Sequence, residues 1–223
     1  FAISSFIDEL AQAAGRDPRD FILELLGPDR IVDMTKVGAV KPVDNYGDSW
    51  DAHPLDTARY RKVREVVTKE AGWGKKLPKG EGLGVAVHRS FLTYVAVVVH
   101  ARVSAKGEIV IPRVDIAMDC GFVVHPERVR SQAEGAVIMG LSNAITSELS
   151  FKKGRVVQSN YHDYEVLRMS AAPRAIHVHL AASGGAPGGV GEPGVPPVAP
   201  ALVNAIFAAT GKRIRSLPVG KRL

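Results

Sequence analysis

Gly80-Glu81-Gly82-Leu83-Gly84-Val85-Ala86-Val87, continuing to Val103, is where the chain changes character. From Val85 to Val103 the composition is Val, Ala, Thr and Tyr, residues suited to a pleated, partly buried surface. The stretch reads as strand, bent or broken near Arg89-Ser90. Glu108 to Met118 reads as a second strand, with a hairpin turning at Ala105-Lys106-Gly107. Toward the N-terminus the pattern is helical. Residues 3–14 place Phe6, Ile7, Leu10 and Ala14 at helical spacing. Asp17-Pro18 starts a second helix, with Asp as N-cap and Pro at N1, that ends at Gly27-Pro28. Residues 29–54 read as irregular, and Asp56 to Ala71 as a third helix, basic on its outer side. Toward the C-terminus, Pro126 to Leu149 reads as a long helix and Ala175 to Leu180 as a short strand. Pro196 to Ala209 follows as the last helix and Ile214 to Leu217 as a final strand. Helices and strands are interleaved without a βαβ repeat, which argues for an α+β fold over a doubly wound sheet. Residues 1–79 form the mainly helical part and 80–223 the mixed part. The opening helices have no strand of their own to cover and are expected to pack on protein that precedes Phe1.

The 223 residues include 46% apolar side chains, enough for a sizeable core. Lysine and arginine exceed acidic residues by 29 to 23, with clusters only at Arg59-Lys62-Arg64 and Lys212-Arg215. Scattered charge without interleaved aromatics argues against nucleic acid and for a solvated surface or an acidic partner. The single cysteine, Cys120, excludes an intrachain disulfide, a Cys-based zinc site and a self-contained iron–sulfur cluster. No apolar run approaches the roughly 20 residues of a membrane-spanning helix.

One loop stands out chemically. Gly184-Gly185-Ala186-Pro187-Gly188-Gly189-Val190-Gly191-Glu192-Pro193-Gly194 sets a single carboxylate in a Gly/Pro-rich turn that opens on a helix. Glycines admit close backbone approach and prolines stiffen the chain after them, so Glu192 is positioned as a catalytic acid or base is usually presented. A solvent-exposed Glu on a surface turn is the bland alternative. The free N–H groups of Gly188 to Gly191 suit an anion, although the Lys-Ser/Thr ending of a P-loop is missing. Gln132-Ala133-Glu134-Gly135 pairs an amide that donates and accepts with a Gly that admits a close neighbour; a helix surface with a Gly at a packing contact is the simpler reading. His177 and His179 share one face of a strand but lack a third ligand, so they read as structural. Cys120 reads as a buried thiol.

Three segments taken in order resemble the molybdenum hydroxylases, the molybdopterin-binding subunits of xanthine dehydrogenase and aldehyde oxidoreductase type enzymes. They are Met118-Asp119-Cys120-Gly121 through His125-Pro126, Gln132-Ala133-Glu134-Gly135 with Gly140-Leu141, and Gly189-Val190-Gly191-Glu192-Pro193. Ser5-Phe6-Ile7-Asp8-Glu9-Leu10-Ala11 and Asn160-Tyr161-His162-Asp163-Tyr164 extend the likeness to the isoquinoline 1-oxidoreductase β-subunit branch. No Gly-Gln-Gly segment follows the strand region, as it does in xanthine dehydrogenase-like members.

The resemblance implies the C-terminal part of a molybdenum cofactor-binding domain, mixed strands with long covering helices. It implies a subunit that hydroxylates an electrophilic carbon of an N-heterocycle or an aldehyde with water-derived oxygen. Glu192 is then the general base. Gln132 binds the molybdopterin, expected as its cytosine dinucleotide, while Gly189, Val190 and Gly191 are backbone near the metal and Phe91 to Thr93 a segment near the site. No residue of this chain is a metal ligand. The expected partners are the N-terminal portion of the same subunit as a separate chain, a [2Fe–2S] subunit, and cytochrome c or another electron acceptor. Twin-arginine export to the bacterial periplasm is the favoured location. A non-catalytic scaffold or partner-binding domain of the same fold is the competing function.

Overall fold

The chain opens with helices α1 (Ala2–Ala13) and α2 (Pro18–Leu26), followed by the two-residue strands β1 (Ile31–Val32) and β2 (Leu55–Asp56). Helix α3 (Thr57–Glu70) leads into the long strands β3 (Glu81–Ser90), β4 (Thr93–Val103) and β5 (Ile109–Asp119). After them come α4 (Pro126–Ile145), the small hairpin β6 (Phe151–Lys152) and β7 (Arg155–Val156), β8 (Ile176–Leu180) and α5 (Val198–Thr210). This computed structural model describes residues 1–37, 43–220 and 223.

The main sheet has the order β3-β4-β5-β8, antiparallel except for β5 and β8, which run parallel. The crossover between those two carries α4, a single βαβ-like unit in an otherwise meandering sheet. The fold is α+β.

Burial on both faces explains the apolar run in β4. Val95, Val97 and Val99 point to a core shared with α4 and α5. Tyr94, Ala96 and Val98 point to the opposite core, against Val63 and Val67 of α3 and Ala71 just past its end. The result is one sheet between two helical layers. At the edge strand β3 the helix comes unusually close. A Cβ on Gly84 would lie 2.2 Å from the Ala201 carbonyl oxygen and the Ala205 nitrogen, and one on Gly82 2.5 Å from the Ala205 oxygen. The glycines that open the strand region are the seat of α5.

Several expectations are corrected. The stretch from Val85 to Val103 is broken, as expected, just after Arg89-Ser90, but the break is a hairpin turn between two antiparallel strands. Ser90 pairs with Thr93 across a two-residue turn in which Phe91 and Leu92 have φ of 48° and 68°. Those are hairpin-turn dihedrals on residues that rarely adopt them, so turn chemistry gives no warning. Helix α4 stops at Ile145, short of Leu149. Ile214 to Leu217 is not a strand; Ile214 and Leu217 pack onto the core from irregular backbone. The irregular segment 29–54 contains β1 and a 3₁₀ turn at Met34–Lys36, while its residues 38–42 lie outside the described ones.

The basic clusters are partly structural. On α3, Arg64 is buried and donates to the carbonyls of Pro18 and Arg19 at the start of α2, and Arg59 pairs with buried Asp119. Arg213 pairs with Asp8 and Arg215 with Glu9, tying α1 to the chain after α5. Helix α1 thus packs within this chain, through Ser5, Asp8 and Ala11, and leaves Ile3, Phe6 and Leu10 exposed.

Candidate functional site

The loop 184–194 lies across the end of the sheet where β4 starts and β5 and β8 end. Its root is held by Asp119, the last residue of β5, whose side chain is fully buried. One carboxylate oxygen accepts from Arg59 Nη2 at 2.9 Å, from the Gly121 amide at 3.0 Å, and from the Ser183 hydroxyl and amide at 2.9 and 3.2 Å. The other accepts from Arg59 Nε at 2.8 Å. Burial pushes this carboxyl upward, but the Arg59 and Gly121 hydrogen bonds and the Arg59 charge outweigh it and hold it below the usual aspartate value.

Beyond that root the loop is stitched down residue by residue. The Phe122 amide donates to the Gly185 carbonyl at 2.8 Å, and the Gly188 amide to the Cys120 carbonyl at 2.9 Å. The Gly189 amide donates to the Phe91 carbonyl at 2.8 Å, and the Thr93 hydroxyl donates to the Gly189 carbonyl at 2.7 Å. Such contact requires glycine: a Cβ on Gly188 would lie 2.5 Å from Thr93 Oγ1, and one on Gly189 2.9 Å from the Phe91 Cβ. The stitching resumes at the far side, where the Val195 amide donates to the Glu192 carbonyl at 2.9 Å. There a Cβ on Gly194 would meet the Ala136 Cβ of α4 at 2.7 Å.

Between these anchors the chain arches over Val190, whose side chain still packs against the core, and the exposed Gly191 and Glu192. Their amides have no acceptor, and the Glu192 carboxylate no partner, among the described residues. Glu192 is exposed, so no described residue supplies the dry surroundings a general base would use. The arch faces α4. A Cβ on Gly191 would sit 3.7 Å from Gln132 Nε2, so the missing side chain leaves a gap that the Gln132 amide borders. Gly135, one turn further along α4, is exposed and has nothing within 4 Å of its Cβ position. It is therefore not at a packing contact within the described residues.

The structure thus brings Gln132, Gly189, Val190, Gly191 and Glu192 to one exposed rim, with Phe91 to Thr93 directly beneath it. Sequence reasoning does not single out Arg59 or Asp119 for this site. Asp119 lies within one of the three resembling segments, whereas Arg59 looks in sequence like one more surface charge.

The remaining candidates separate from the rim. His179 Nε2 lies 2.9 Å from buried Asp115, which also binds Arg113 through two hydrogen bonds, while its neighbour His177 is exposed. Among the described residues no group of three His, Cys, Asp or Glu is placed to hold a metal. Cys120 is buried, and burial pushes its thiol up.

Comparison with known proteins gives this rim a context. A family described as the molybdopterin cofactor-binding domain matches residues 43–173. A nicotinate dehydrogenase subunit of Pseudomonas putida is 33% identical over 98% of this chain and 18% of its own length. The beta subunit of isoquinoline 1-oxidoreductase from Brevundimonas diminuta is 32% identical over 98% of this chain and 25% of its own. This chain therefore spans about a quarter or less of the length of these relatives. Quinoline 2-oxidoreductase of Pseudomonas putida 86 shares the fold, with a TM-score of 0.52 at 18% identity over 58% of this chain and 18% of that one. The chain belongs to the molybdopterin cofactor-binding domain family, that of the molybdenum-binding subunits of molybdenum hydroxylases.

Proposed function

We propose that this chain carries one wall of a molybdenum hydroxylase active site. The enzyme hydroxylates an electrophilic carbon with oxygen derived from water, and Glu192 is its general base. The observation that carries this reading is the rim itself, where three consecutive unpaired amides and a lone carboxylate flank Gly191, whose Cβ position lies 3.7 Å from Gln132 Nε2.

The residues present fit a molybdopterin. Gln132 both donates and accepts, and the amides of Val190, Gly191 and Glu192 donate, which suits a polar, anionic ligand. The gap at Gly191 admits a ligand edge that any larger residue would exclude. When bound, molybdopterin supplies a molybdenum centre able to accept the two electrons of the oxidation.

The protein's part is orientation and proton transfer. The stitched loop fixes the direction of the Glu192 backbone, and a carboxylate oxygen takes the proton released as the water-derived oxygen adds to the substrate carbon. Electrons would then pass to [2Fe–2S] clusters proposed to lie in a partner subunit; the one cysteine here excludes only a cluster ligated by this chain alone. Two relatives are named for nicotinate and isoquinoline, which favours a nitrogen heteroaromatic substrate; aldehydes are open to the same chemistry.

Glu192→Gln in the assembled enzyme tests the assignment. Turnover per bound molybdenum is expected to fall about a thousandfold, within the usual range for losing a general base. Unchanged turnover with full molybdenum content would reduce Glu192 to an ordinary surface residue.

A further inference from the structure

We infer that Thr93 is a positioning residue for Glu192, acting through the Gly189 carbonyl. The inference rests on the reading of Glu192 as the base and adds the group that fixes it.

Thr93 is the first residue of β4, immediately after the Phe91-Leu92 turn, and is fully buried. Its hydroxyl donates to one acceptor, the Gly189 carbonyl, at 2.7 Å. The neighbouring Gly188 can approach only because it lacks a Cβ, which would fall 2.5 Å from that hydroxyl. The Thr93 side chain therefore marks the closest meeting of loop and sheet, three residues before Glu192. From Gly189 no backbone hydrogen bond is made over Val190, whose side chain packs on the core, or over Gly191, until the Glu192 carbonyl accepts from the Val195 amide. The carboxylate has no side-chain partner among the described residues, so its position is inherited from the backbone held at Gly189, Val190 and Val195.

The two sides of the Thr93–Gly189 bond differ in what they need. Gly189 is exposed, so water can satisfy its carbonyl when the hydroxyl is removed. Loss of the bond should then appear as lost aim of the loop more than as lost stability. In Thr93→Val a methyl replaces the hydroxyl without changing the side-chain shape, and it cannot sit 2.7 Å from a carbonyl oxygen. Gly189 is pushed outward. In Thr93→Ala the bond is lost without the push, and in Thr93→Ser it is kept.

The experiment compares these three variants with Glu192→Gln in the assembled holoenzyme. It uses steady-state kinetics per bound molybdenum and amide hydrogen exchange at residues 189–192. Thr93→Val and Thr93→Ala are expected to lose about tenfold in kcat with KM within about twofold, since small displacements of a reacting group carry costs of this order. Exchange at the Gly189 amide, which donates to the Phe91 carbonyl, should quicken in both. Thr93→Ser should restore kcat and exchange to within about twofold of the parent. The inference is overturned if Thr93→Val and Thr93→Ala match the parent in both measurements, or if Thr93→Ser falls as far as they do. Glu192→Gln separates the two layers of argument. An inactive Glu192→Gln beside fully active Thr93 variants removes the positioning role alone, whereas an active Glu192→Gln removes the base and the role that depends on it.

Discussion

At the scale of the residue, the notable property of Glu192 is how little holds it. Its carboxylate is exposed and unpaired, and the bonds that fix it act on backbone, from the Thr93 hydroxyl to the Gly189 carbonyl and from the Val195 amide to its own carbonyl. Gly191 matters for the complementary reason: it keeps the space beside Gln132 open. The Gly191 backbone lies outside the left-handed region, and a Cβ there would make only an ordinary 3.7 Å contact. Gly191→Ala should therefore leave unfolding stability within about 0.5 kcal/mol of the parent. In the assembled enzyme the added methyl occupies the gap proposed for the cofactor. An overpacking cost of about 1–3 kcal/mol corresponds to a roughly five- to 150-fold weaker hold on molybdopterin. Urea unfolding of this chain and molybdenum content of the assembly check the two halves separately. Full molybdenum content would place the cofactor elsewhere.

At the scale of the element, two glycines in apparently equivalent settings make opposite demands. Gly84 lies under α5, where a Cβ would meet helix backbone at 2.2 Å, so Gly84→Ala must displace the helix and should cost about 3 kcal/mol. Gly135 lies mid-helix on an open face, so Gly135→Ala should stabilise the chain by about 0.5–1 kcal/mol. Thermal unfolding of both reads the sign directly. A destabilised Gly135→Ala would mean that the helix face is occupied in this chain. The legibility of the sequence obeys the same logic. Periodicity and caps place α2 within a residue, because Asp17 and Pro18 state the start chemically and Gly27 the end. The β3–β4 turn is not legible, since Phe91 and Leu92 adopt positive φ without the Gly or Asn that normally advertises it. The stripe on α1 reads correctly as amphipathic, but its buried side is Ser5, Asp8 and Ala11. A buried ion pair with Arg213, some two hundred residues away, decides that orientation, and local pattern cannot encode it. At the site, the Gly-rich loop announces itself by composition, whereas its hold on Thr93 and Asp119 arises only once β4, β5 and the loop meet.

At the scale of the whole molecule, Asp119 joins the layers. Its carboxylate receives Arg59 from α3 on one side of the sheet, belongs to β5 within it, and binds Ser183 at the root of the loop that crosses the sheet's end. Arg59 also stacks over the Tyr94 ring at 4.4 Å, so the pair is packed as well as bonded. Removing one partner of such a buried pair leaves the other uncompensated. Asp119→Asn should therefore destabilise the fold by about 3 kcal/mol at pH 7. The pH dependence gives the more specific test. Because the folded-state carboxyl is held below the unfolded value near 3.8, the ionised pair contributes fully above that value. The contribution is lost as pH falls through the lower, folded value, where the parent too must protonate Asp119. The stability gap between parent and Asp119→Asn should thus be constant from pH 7 to about pH 5 and shrink only below about pH 4. Other carboxylates titrate alike in both proteins and cancel in the difference. Urea midpoints at several pH values measure it, and a gap that widens as pH falls would mean that the folded value is raised. The same substitution should quicken amide exchange at Ser183 and Gly121 in step with the lost stability. A loss of stability with those two amides still protected would place the weakness at the Arg59 side of the joint.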